Sequence, residues 1–147
     1  MRLWHYKLIS YLPCYRTTGD RKKNQLLGQH RECCALRGNG WGTPHSVVDY
    51  VFRHPPAMLV KYHFMVINEL EKRGYCINPL WKDARYRGPN AAGWAIIRDP
   101  YMMGAYPEHD EKYLISCLDN LKGKGIIVEL NFLKTNDIIE FSKGGPL

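Results

Sequence analysis

Between the Pro55-Pro56 pair and Gly74, the apolar residues Leu59, Tyr62, Val66 and Leu70 recur every three to four positions. That period is the repeat of an α-helix with one buried face. The pattern predicts a helix over about 57–73, with Lys72-Arg73 where the helix dipole favours cations and Gly74 as a left-handed stop. Met58, Tyr62, Phe64 and Met65 read as its core side, and Lys61 and His63 as helix surface or partly buried polar positions. Any fold for this chain must pack that helix.

Two further segments carry the same period. QLLGQHRECCAL (25–36) lines up Leu26, Leu27, His30, Cys33 and Cys34, with Arg31 and Glu32 at the stripe's edge, and Gly38 and Gly40 end it. Residues 107–122 place Tyr113, Leu114, Cys117, Leu118 and Leu121 on one face, with Pro107 in the first turn and Glu108, Asp110 and Glu111 near the N-terminus. Ser46 is a candidate cap for a short helix, VVDYVFRH, closed by Pro55-Pro56. The stretch 75–105 reads as a long irregular connection anchored by Gly, Pro and Trp. Residues 126–133 fit a short strand or a terminal helix equally well. The expected fold class is mainly α, a single compact helical domain over 1–147, with 14–24 as an exposed basic loop and 126–147 as a C-terminal extension.

Charge narrows the partner. The 147 residues carry 21 Lys+Arg against 14 Asp+Glu, a net charge of +7. Residues 1–40 hold 8 basic and 2 acidic side chains, whereas 91–147 hold 6 and 8. A basic N-terminal region points to a polyanion, nucleic acid first. No run approaches the roughly 18 apolar residues of a membrane helix. The apolar start is broken by His5, Lys7 and Pro13 and lacks a cleavage site, which argues against a signal peptide.

The five cysteines (14, 33, 34, 76 and 117) have no framework spacing and read as reduced packing thiols. Cys33 and Cys34 are adjacent, unlike the pairs of zinc sites, so no metal is expected. The chain lacks a nucleophile elbow, a Walker loop and H-E-x-x-H, and GNGWG (38–42) follows no strand. On residues alone, the Arg31-Glu32 pair is compatible with an ordinary surface feature.

The register of several pieces is more specific. M-R-L at 1–3, QLLGQHRECCALRG at 25–38 and ELEKRGYCI at 69–77 resemble the pyrimidine-dimer DNA glycosylase family, whose best-known member is the phage endonuclease V. LLGQHRECCALRGNGW and YPEHDEKYL resemble its cellular branch. The resemblance implies the endonuclease V type of fold, a combined glycosylase and abasic-site lyase, damaged double-stranded DNA as partner, a monomer and no cofactor. It also implies a cytoplasmic protein associated with the nucleoid through DNA.

The resemblance assigns roles residue by residue. The Met1 α-amine matches the family nucleophile, Arg2 follows it, and Arg31-Glu32 match the arginine and essential carboxylate. Arg2, Arg31, Gln25 and Arg37 are the expected DNA-binding residues. Gln25 stands where the phage protein has histidine and Ala35 where it has arginine, which bears on lesion recognition more than on lyase chemistry. An α-amine titrates near 7.7–8.0, so about a tenth is neutral at pH 7 and able to attack a sugar C1′. Trp4 and Tyr6 are candidate walls for it. Two other readings fit the same residues: a non-catalytic helical DNA-binding module, or the same chemistry on another base lesion.

Overall fold

A computed structural model describes residues 2–130; Met1 and 131–147 lie outside the described residues. The chain divides into two compact units, Met1–Tyr106 and Pro107–Leu147. The architecture is mainly α, and no strand forms among the described residues. Four α-helices occur there: α1 (Tyr15–Thr18), α2 (Gln25–Arg37), α3 (Pro56–Lys72) and α4 (Glu111–Gly123). Short 3₁₀ turns fill the connections at Tyr6–Tyr11, Asp49–Arg53, Pro79–Lys82 and Pro100–Met102.

In the first unit, α3 is the central element and α2 packs directly against it. Pro56 occupies the first turn of α3, where its missing N–H costs nothing. The far end closes with Tyr75 N donating to Leu70 O and Gly74 N to Glu71 O, while Gly74 takes φ +91°. This double closure needs a left-handed residue, so glycine stands there. Ala57, Leu59, Val60, Tyr62, Val66, Ile67 and Leu70 are buried, whereas Met58, Phe64 and Met65 are only half-buried. The apolar stripe is therefore centred on the branched aliphatic residues.

The N-terminal segment is held by side chains from the helices. Arg73 donates to Leu12 O (2.6 Å) and Ser10 O (2.9 Å) while pairing with Glu69 at 2.9 Å. After α2 the chain doubles back so tightly that a Cβ on Gly40 would lie 2.7 Å from Ala35 O. That approach is open only to glycine.

Three expectations need correction. The 14–24 segment is not wholly loop: Tyr15–Thr18 close one α-turn, ended by Gly19 at φ +69°. Its Arg16, Arg21 and Lys22 are exposed, as a solvated segment requires. Ser46 caps nothing; Asp49–Arg53 is a 3₁₀ turn, and the Asp49 carboxylate accepts from His45 N instead. Helix α4 starts at Glu111 rather than in a turn begun by Pro107, because Asp110 accepts the Tyr113 N–H at 2.8 Å and sets the N-cap.

Residues 75–105 are irregular apart from two 3₁₀ turns, with Trp81 against Tyr86 and Trp94 against Trp41. In the second unit α4 buries Leu114, Cys117 and Leu121. Residues 126–130 form neither strand nor helix, and 131–133 lie outside the described residues. No helix among the described residues is long and apolar enough to cross a membrane.

Candidate active site

Helix α2 has two polar rows, each with one fully buried member, Gln29 and Arg37. Gln25, Gln29 and Glu32 are spaced four and three apart, which puts them on one face. His30, Cys34 and Arg37 follow the same spacing on another.

The first row meets the N-terminal segment. Gln29 is 1% exposed. Its Nε2 donates to Arg2 O (2.8 Å) and Glu32 Oε2 (3.1 Å). Its Oε1 accepts from Trp4 N (2.6 Å) and faces the Tyr62 hydroxyl at 2.7 Å. Turning the amide over would set donors against donors and acceptors against acceptors, so the orientation is fixed. The Gln29 amide thus serves the backbone on both sides of buried Leu3 as a neighbouring strand would. Tyr62, reaching over from α3, also lies 2.6 Å from Trp4 O. The Glu32 carboxylate accepts the Arg2 backbone N–H at 3.1 Å. That nitrogen is the atom joining Arg2 to Met1, so the carboxylate stands at the first peptide bond of the chain.

Of the residues singled out in the sequence, Arg2 and Glu32 are brought together, and Met1 lies outside the described residues. Arg2 is half-buried, with its guanidinium over the Trp4 ring at 5.5 Å. Trp4 itself is buried, and Tyr6 is half-buried with burial raising its phenol pKa. Arg31 is exposed, one residue round the helix from Glu32. Gln25 opens α2 and donates to Lys22 O at 3.1 Å, seven residues or about 10 Å of helix from Glu32.

Arg37, expected among the DNA contacts, is instead turned inward. Its side chain is 0% exposed. It donates to Trp81 O (2.9 Å), Asp83 O (2.7 Å) and Tyr86 O (2.7 Å), closing the 81–86 loop onto α2. Burial pulls its pKa down to about 10, which leaves it charged at neutral pH. Sequence charge could not distinguish this arginine from a surface one.

The second row also contains histidine contacts that sequence spacing did not reveal. Arg37 Nη1 lies 3.0 Å from His63 Nδ1, and His63 Nε2 lies 2.8 Å from His30 Nδ1. Burial holds His63 well below its ordinary pKa and also lowers His30, so both rings are neutral near pH 7. Arginine only donates, so His63 Nδ1 accepts and its proton resides on Nε2, which donates to His30 Nδ1. Cys34 Sγ sits 3.7 Å from His30 Nε2, and burial pushes this thiol up to about 11. Cys34 also lines a cleft of about 340 Å³ with Gly38, Trp81, Arg87 and Asn90. His63 is wholly buried, where a surface or partly buried position was expected. The i, i+4 pair His30/Cys34 was visible in the sequence; its partner on α3 was not. None of the five cysteines is in a disulfide.

The family model described as pyrimidine dimer DNA glycosylase matches residues 1–83, more than half of the chain. The chain belongs to that family. Its role is accordingly that of a DNA repair glycosylase, with DNA as substrate. The matched segment contains α1, α2 and α3, and with them Glu32, Gln29 and Tyr62. No curated protein and no solved structure matches the chain.

Proposed function

We propose that this family member is a glycosylase and abasic-site lyase acting on pyrimidine dimers in duplex DNA, with the Met1 α-amine as nucleophile and Glu32 as its acid-base partner. The observation that carries the reading is the 3.1 Å contact between Glu32 Oε2 and Arg2 N, which sets a carboxylate at the peptide bond next to that amine.

The neutral amine attacks the sugar C1′, the bond from C1′ to the base breaks, and the base leaves with the bonding pair. A carboxylate at this point stabilises the positive charge that develops at C1′ and O4′. One amine proton passes by way of Glu32 to O4′, the C1′–O4′ bond breaks, and an iminium between the amine nitrogen and C1′ results. Glu32 then takes a proton from C2′, and the C3′–O bond breaks, leaving the strand cut 3′ to the sugar. Gln29 acts as a positioning residue because it holds both Glu32 Oε2 and the Arg2 carbonyl. Arg2, Arg31 and Gln25 are the proposed DNA contacts, placing the backbone rather than reading sequence. Adjacent bases joined covalently cannot be reached within a regular stack, so bending and nucleotide extrusion accompany binding.

Borohydride reduction during reaction with abasic-site DNA tests the proposal. A covalent adduct that maps to the Met1 nitrogen is expected. Strand cleavage without an adduct at Met1 would refute the nucleophile, and salt-sensitive binding without cleavage would favour a binding module. Duplexes each carrying a single lesion type separate pyrimidine dimers from other damaged bases.

A further inference from the structure

His30 and Cys34 of α2 and His63 of α3 bring three ligand atoms together on the face of α2 turned away from Glu32. The His30 Nδ1–His63 Nε2 edge is 2.8 Å, and Cys34 Sγ lies 3.9 Å from each of those nitrogens. A point equidistant from the three atoms lies about 2.1 Å from each, against Zn–N near 2.0–2.1 Å and Zn–S near 2.3 Å. A tetrahedral ion asks that the two nitrogens part to about 3.3 Å and that the sulfur close to about 3.6 Å from each. The geometry points to a binding site for a borderline-soft divalent cation, zinc first, held by His30 Nδ1, Cys34 Sγ and His63 Nε2.

The donor set suits such an ion, since one thiolate and two imidazoles favour zinc or cobalt over magnesium or calcium. His30 Nδ1 already presents a lone pair. The cation displaces the proton on Cys34 Sγ, and the His63 proton shifts from Nε2 to Nδ1, so one proton leaves as one divalent ion enters. Nδ1 then carries a hydrogen, so Arg37 gives up its 3.0 Å contact with His63 and keeps the three loop carbonyls. The cleft beside Cys34 supplies an entry route and leaves the fourth position to water. Because the ligands come from both helices, the ion fastens α2 to α3 beside the Gln29–Tyr62 contact.

The full-length protein titrated with Co²⁺ alone tests the site. The expected result is one ion per chain with a thiolate-to-cobalt charge-transfer band, abolished by Zn²⁺. Zinc at a hundredfold excess over its Kd should raise Tm by about 5–10 °C. Cys34→Ala should remove the band, and His30→Gln, which keeps the thiol, should weaken binding at least tenfold. No band and no Tm shift up to 100-micromolar-order metal would overturn the site, as would a band that persists in folded Cys34→Ala protein. If Cys34→Ala does not fold, unchanged affinity in His30→Gln gives the same refutation.

Discussion

Gln29 of α2 and Tyr62 of α3 meet at 2.7 Å above the backbone of Trp4, and between them they serve both its N–H and its C=O. The N-terminal segment is thus held by side chains from two helices where a sheet would have used another strand. That arrangement fixes the chain up to the peptide bond where Glu32 stands.

Gln29→Leu removes the partners of Trp4 N and Arg2 O together. Leaving buried backbone groups unpaired costs about 1–3 kcal/mol each, so denaturant melts should show a loss of about 2–6 kcal/mol. Tyr62→Phe removes one hydroxyl and should cost only about 1–2 kcal/mol. If Gln29→Leu melts like the parent, the side-chain clamp is not what holds the segment.

Glu32→Gln keeps the shape of the side chain and still offers an oxygen to Arg2 N, but it cannot take a proton. Cleavage of abasic-site DNA should fall by about 10²–10⁴-fold with little change in binding, measured by single-turnover kinetics and by titration. Parent-like cleavage would exclude Glu32 from proton transfer.

Arg31 and Arg37 should respond oppositely to substitution. Arg31→Ala should leave Tm within about 1–2 °C and reduce the slope of log affinity against log salt by about one contact. Arg37→Met should cost about 3–5 kcal/mol, because three loop carbonyls and His63 lose their donor. Equal effects on stability would contradict the difference in burial.

Burial lowers the pKa of His63 and of His30 below the unfolded value near 6.5. Below that value the unfolded chain binds protons that the folded chain refuses, so folding stability rises with pH there. The contribution is complete above about pH 6.5 and is lost as pH falls toward the folded pKa. Urea melts of the parent from pH 8 to pH 5 should show stability declining below about 6.5. The decline should be shallower in His63→Gln, whose amide can still accept from Arg37 and donate to His30.

The helical elements and the family register were legible in the sequence because both are local. Leu59, Tyr62, Val66 and Leu70 repeat with the helix, Gly74 marks its end, and Arg31-Glu32 sit in one continuous run. Boundaries that depend on a single side-chain bond were less legible, as with Asp110 moving the start of α4.

What the sequence by itself determined was helix placement, the excess of positive charge, and membership of a family acting on DNA. The tertiary structure decided which polar residues face inward. Arg37 and Arg31 are the same residue type six positions apart on one helix. One is sealed beneath the 81–86 loop and the other is exposed, because the loop carbonyls come from a segment more than forty residues away. Gln29 and His63 acquired their roles in the same way, from partners 25 to 33 residues distant in the chain. Periodicity records which side of a helix is buried, but the partner a buried polar atom meets is set only when separate segments pack.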